Sequence, residues 1–145
     1  MRSSVMRCVA IAALTLLGAS CQEVTGPSVN DVLAHRAKWA ARGLTSYSFD
    51  YTLRAMIYSV GCPTAAWRLE VQQNTVTAAT CLATGQAVTA PSVTIDTLFD
   101  QALRARGTNG ISAISYDAQL DFPTSIEFAG PPDASYSETA TNLQP

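Results

Sequence analysis

A chain of 145 residues with nine Lys and Arg, eleven Asp and Glu and one His has room for one ordinary domain and its core. The basic residues are too few for counterion release along a nucleic acid, and one imidazole cannot complete a His-rich metal set. After Arg106 there is no Lys or Arg, whereas Asp117, Asp121, Glu127, Asp133 and Glu138 remain, so that half does not favour an anionic lipid surface either.

The N-terminus reads as an address. Met1 to Arg7 carries two arginines and no acid, Cys8 to Leu17 is a short apolar run, and Gly18-Ala19-Ser20 leads into Cys21. A basic head, a short apolar core and a small-residue exit mark a secretory signal peptide. The run is too short to span a bilayer, which takes roughly 20 apolar residues. The junction LLGASC also resembles the lipobox of bacterial lipoproteins, which makes Cys21 the lipidation candidate and the new N-terminus. Gly18 stands where Leu is usual, and Gly-Ala-Ser also suits ordinary signal peptidase cleavage, so a lipid-anchored and a freely secreted or periplasmic product both stay open. The expected division is residues 1–20 signal peptide, 21–29 tether and 30–145 one α+β domain.

Four cysteines sort by place. Cys8 lies in the signal and Cys21 at its exit, leaving Cys62 and Cys81. In an oxidising compartment these two are expected to form a disulfide. It closes a loop of about 20 residues, worth on the order of 3 kcal/mol in the chain-entropy model. The alternative, a redox pair or metal site, lacks a C-x-x-C and has only His35 to help it.

Along the mature chain, Gln22 to Ser28 is polar with Gly-Pro, as a tether would be. Asn30 or Ser28 caps a helix over about Asp31 to Arg42, with Gly43 past its end. Val32, Leu33, Ala37, Trp39 and Ala40 make its apolar face. Tyr47, Phe49, Tyr51 and Leu53 alternate with Ser48, Asp50, Thr52 and Arg54, the pattern of a strand with one buried face. Ala55 to Ala66 reads as strand end and loop. Trp67, Leu69 and Val71 then alternate with polar residues, Gln73-Asn74 turns the chain, and Thr75 to Cys81 returns as a partner strand. Thr84 to Ser92 is a loop. Thr94 caps a second helix with Ile95, Leu98, Phe99, Ala102 and Leu103 on its apolar face, and Gly107 ends it. After an Asn109-Gly110 turn come strands at Ile111 to Tyr116 and Thr124 to Phe128. Ser135 to Leu143 is a last, more polar strand, expected at a sheet edge. The order α-βββ-α-βββ indicates an α+β fold, an antiparallel sheet of about six strands with two helices on one face. The two halves have the outline of a degenerate repeat, although no residue pattern recurs between them.

The series Trp39, Tyr47, Phe49, Tyr51, then Cys62-Pro63, then TIDTLF at Thr94 to Phe99, then YDAQLDFPT at Tyr116 to Thr124 resembles an uncharacterised family of small bacterial exported lipoproteins. That family is known as domain of unknown function 6174, and the likeness runs from about Ala37 to Leu143. Asp121-Phe122-Pro123 stands where the pattern carries Gly-Tyr-Pro, so the turn lacks a glycine for a left-handed position. The resemblance implies a location and a fold and brings no catalytic residues.

The remaining candidates have plainer readings. His35 lies mid-helix beside Arg36 and Lys38, with no G-x-S-x-G in the chain, and is expected to face solvent. Asp117, Asp121 and Asp133 are loop oxygens of the type Ca²⁺ accepts, but they lack the D-x-D-x-D-G spacing and read as turn formers. Asp50 and Glu70 would suit paired-carboxylate glycoside chemistry, and cross-strand pairing with Arg54 or Arg68 explains them more cheaply. Trp39, Trp67, Tyr47, Tyr51 and Phe99 fit core packing better than a ligand pocket. Met56-Ile57-Tyr58 is either an exposed apolar contact or a bulged strand. No acid, base and nucleophile set can be assembled, and no cofactor or metal is expected. The expected function is a non-enzymatic envelope module that contacts another envelope protein, with a membrane lipid anchor and no nucleic acid. A small-ligand binder and an inhibitor of secreted enzymes are its rivals.

Overall fold

Alternation along Tyr47 to Arg54 places three aromatic rings on one side of a strand, and that side becomes the middle of the core. The computed structural model describes residues 27–55, 61–105, 110–130 and 135–145. The signal peptide, Cys21, most of the tether, Met56-Ile57-Tyr58, Gly107 and Asp133 lie outside these residues. The elements are α1 (Val29–Ala41), β1 (Tyr47–Arg54), β2 (Ala66–Gln72), β3 (Thr75–Cys81), α2 (Ile95–Ala105), β4 (Ile111–Tyr116), β5 (Pro123–Phe128) and β6 (Tyr136–Gln144). They form a six-stranded sheet in the order β3-β2-β1-β6-β5-β4, and every neighbouring pair is antiparallel. No helix among the described residues is long and apolar enough to cross a membrane.

Both helices cover the face that carries Tyr47, Phe49 and Tyr51. Trp39 of α1 meets Tyr47 edge-on, ring centroids 5.5 Å apart. The first amide of α2, on Ile95, donates to the Tyr47 hydroxyl at 3.1 Å. Burial pushes that phenol up to about 12, against the hydrogen bond from Ile95. Phe49, Leu69, Ile95, Leu98, Phe99 and Ile126 complete the core. The opposite face, with Ser48, Asp50 and Thr52 of β1, Arg68 of β2 and Thr139 of β6, has no helix over it among the described residues.

Local signals explain most boundaries. Ser28 caps α1, its Oγ accepting from the Asp31 amide at 3.0 Å. Thr94 and Thr97 cap α2 reciprocally: the Thr97 amide donates to Thr94 Oγ1 at 3.2 Å, and the Thr94 amide donates to Thr97 Oγ1 at 2.8 Å. That is a capping box with Thr in the place of the usual Glu or Gln. Gln73 and Asn74 turn the β2–β3 hairpin with φ of 49° and 58°, the left-handed pair a tight hairpin requires. Cys62 and Cys81 are bonded, with Cα atoms 5.4 Å apart, which ties the approach to β2 to the end of the outer strand β3.

Three expectations are corrected. β6 is not an edge strand: it lies between β1 and β5. Only Glu138 and Ala140 of β6 are buried, while Ser137, Thr139 and Thr141 point to the bare face, so the strand's polarity reports an uncovered face. α1 buries only Val32 and Trp39; Leu33 is 46% exposed, and Ala37 and Ala40 are exposed as well. Its inward side instead includes the half-buried His35 and Arg36, drawn to acids on the β4–β5 loop and on α2. The halves are also not repeats. β1 to β3 runs from the sheet centre outward, β4 to β6 from the far edge inward, and α2 carries the chain across a sheet roughly 24 Å wide at the usual strand spacing.

Candidate functional site

Among the described residues, polar chemistry gathers at three places. The first is where α1 meets the β4–β5 loop. Helical spacing puts His35 and Lys38 of α1 and Arg42 at its C-cap on one side, and all three reach Asp121. His35 Nδ1 lies 3.0 Å from Asp121 Oδ1, Lys38 Nζ donates to the same oxygen at 3.3 Å, and Arg42 Nη2 stands 3.6 Å from Oδ2. Arg42 also donates to the Gln119 carbonyl. The His35 ring stacks on Tyr116 at 3.7 Å with an interplanar angle of 11°, and its Nε2 faces Asp31 Oδ1 at 3.8 Å. The expectation that His35 faces solvent is therefore corrected. Partial desolvation pushes the Asp121 carboxyl up, but hydrogen bonds and charge from Lys38 and His35 outweigh it and hold it below the usual carboxylate range. Asp117 acts as a turn former: its Oδ1 accepts from the amides of Gln119 at 2.9 Å and Leu120 at 2.7 Å.

The second place is inside. Glu138 of β6 is only 6% exposed, and it lies opposite Leu53 of β1 and Ile126 of β5. Its partners are neutral. The Tyr51 hydroxyl hydrogen-bonds to it, and Gln101 of α2 donates to it once its amide nitrogen faces the acid. Burial pushes the carboxyl up to about 7, with the Tyr51 hydrogen bond opposing. Burial also raises the Tyr51 and Tyr136 phenols, helped by the nearby acid. Sequence reasoning missed this residue, because an acid between Ser137 and Thr139 in a polar strand carries no sign of its burial.

The third is the bare sheet face. Arg68 Nη1 donates to Asp50 Oδ1 and to the Asn142 carbonyl, both at 3.0 Å. Its Nη2 donates to Ser48 Oγ and Gln144 Oε1, both at 2.9 Å. Asn142 Nδ2 donates to Asp50 Oδ2 at 2.7 Å. Both Asp50 oxygens are thus engaged, and the cross-strand explanation applies to it. Glu70 lies opposite Ser48. Strand register then lines up Thr52, Thr139, Ser125 and Ser115 as a hydroxyl row across four strands. A shallow depression of ≈ 470 Å³ opens beside Arg68, Glu70, Gln72 and Gln144.

The family model of DUF6174, a family of unknown function, matches residues 31–144. The chain belongs to that family. No curated protein and no solved structure matches it. In this DUF6174 chain the turn without glycine is solved by Asp121 itself, which takes φ 63°; a short polar side chain tolerates that region better than most. The same residue thereby supplies the carboxylate for the α1 cations. The aromatic set is packed on itself, with Tyr51 stacked on Trp67 at 5.7 Å and Trp39 against Phe122 at 6.2 Å.

Proposed function

We propose that this DUF6174 protein is a non-enzymatic binding module of the bacterial cell envelope, exported by residues 1–20 and held at a membrane through lipid on Cys21. It engages another envelope protein through the bare face of its sheet. The observation that carries the reading is the uncovered polar face, preformed by the Arg68–Asp50–Asn142 network and the hydroxyl row. Backbone-anchored polar groups on a rigid sheet bind with little ordering cost. The signal-like N-terminus and the disulfide, which suits an oxidising compartment, support the address.

The test is site-specific photo-crosslinking in a Gram-negative host, with the probe at Thr139 on the bare face or at Ala37 on α1. A discrete adduct from Thr139 alone is expected, and its absence removes the reading. Intact mass of the mature chain decides the anchor: a lipid increment on Cys21 is expected, and an unmodified start makes the product periplasmic or secreted. A small polar ligand is the second reading, favoured by the depression beside Arg68 and Glu70. A melting temperature that rises with a metabolite panel, and does so less in Arg68→Ala, would select it.

A further inference from the structure

Glu138 occupies a place where a full charge has little to stabilise it. It sits in a central strand under α2, and the groups that face it are few. From β1 comes the Tyr51 hydroxyl, from its own strand Tyr136, from α2 the Gln101 amide and from β5 the apolar Ile126. Among the described residues no Lys, Arg or His pairs with it. Two neutral donors do not replace the hydration of a carboxylate. The Gln101 amide also has two orientations, which suit different protonation states. With the nitrogen toward Glu138 it donates to a carboxylate. With the oxygen toward Glu138 it accepts from a carboxylic acid.

We propose that Glu138 is a proton-operated latch between α2 and the sheet. With the proton on, the acid donates to Gln101 Oε1 while its carbonyl oxygen accepts from Tyr51, and α2 is closed. With the proton off, the buried carboxylate admits water and loosens α2 around Gln101. The geometry is independent of the binding role above. Burial, opposed by the Tyr51 hydrogen bond, places the change at about 7, so it falls in the range an exposed envelope protein meets.

The experiment is amide hydrogen exchange on the full disulfide-bonded chain, corrected for intrinsic rates, at about pH 5.5 and about pH 8.5. Protection of the α2 amides from Leu98 to Leu103 is expected to fall roughly tenfold or more toward the higher pH, and to stay level in Glu138→Gln. Protection that does not change with pH in the parent chain, or that falls equally in Glu138→Gln, overturns the latch. Should Glu138→Gln not fold, the carboxyl carbon of Glu138 is followed by NMR in the parent chain. A midpoint near neutrality that rises further in Tyr51→Phe supports the latch; a midpoint in the ordinary carboxylate range overturns it.

Discussion

Asp121 and Glu138 are both acids that bind a helix to the sheet layer, and they stand in opposite electrostatic conditions. Asp121 lies at a loop and receives three basic side chains from α1. Glu138 lies in the middle of the sheet and receives a phenol and an amide. The cause is in the order of the chain. Every Lys and Arg precedes residue 107, so an acid in the second half meets cations only where the fold brings an earlier element to it. α1 delivers them to Asp121. α2 could have served Glu138, but its late Arg104 is turned to the Asp100 carbonyl, where Nε donates at 3.2 Å. An acid's worth to the fold is thus decided by which helix face it meets.

The comparison can be pressed hardest at Trp39, the main apolar anchor of α1. Trp39→Ala is expected to cost about 3–5 kcal/mol by urea denaturation; a much smaller loss would mean that the cations on Asp121, not the ring, hold α1. Next comes pH. The folded pKa of Glu138 is raised, so its contribution is fully present below the unfolded value and is lost as pH rises through about 7. Glu138→Gln should therefore be more stable than the parent above neutrality by about 3 kcal/mol, with the advantage vanishing toward acid. Equal stability at both ends would place the carboxyl in water.

Double replacement Cys62→Ser with Cys81→Ser should lower stability by on the order of 3 kcal/mol, equally on both sides of neutrality. A loss confined to high pH would show that the disulfide edge and Glu138 are coupled. The smallest effect belongs to Asp121. Its folded pKa is depressed, so its contribution is present above the unfolded value and is lost as pH falls through the folded one. Asp121→Asn should weaken the parent near neutrality, more at low salt, and leave it unchanged in strong acid. The parent chain then loses stability in both directions from a mildly acidic optimum.

Much of this was legible from residue order. β1 has the boundaries its alternation dictates, and the β2–β3 hairpin turns at Gln73-Asn74. Thr94 caps α2, and Cys62 and Cys81, the pair expected to bond, are bonded. What stayed hidden was lateral placement. Alternation in β6 separates Glu138 and Ala140 from Ser137, Thr139 and Thr141, but it cannot say which strands flank them. Tyr51 and Ala140 are register partners although nearly the whole domain separates them in sequence. For the same reason His35 reads as a solvated helix residue until the β4–β5 loop is folded beside it. Leu33 and Ala37 carry helical spacing without a surface to cover them, so periodicity overcounts the buried face of α1.

The position of β6 between β1 and β5 has a consequence for how the domain comes into being. The final strand of the chain is the seam of the sheet. A chain that ends before Tyr136 holds a β1–β3 meander and a β4–β5 hairpin with no backbone ladder between them. Until β6 pairs, the two are linked through the helices, α1 at Asp121 and α2 over β5, rather than through the sheet. Pairing between such distant segments is slow to nucleate. The sheet is therefore one continuous ladder only while β6 is paired along both of its edges.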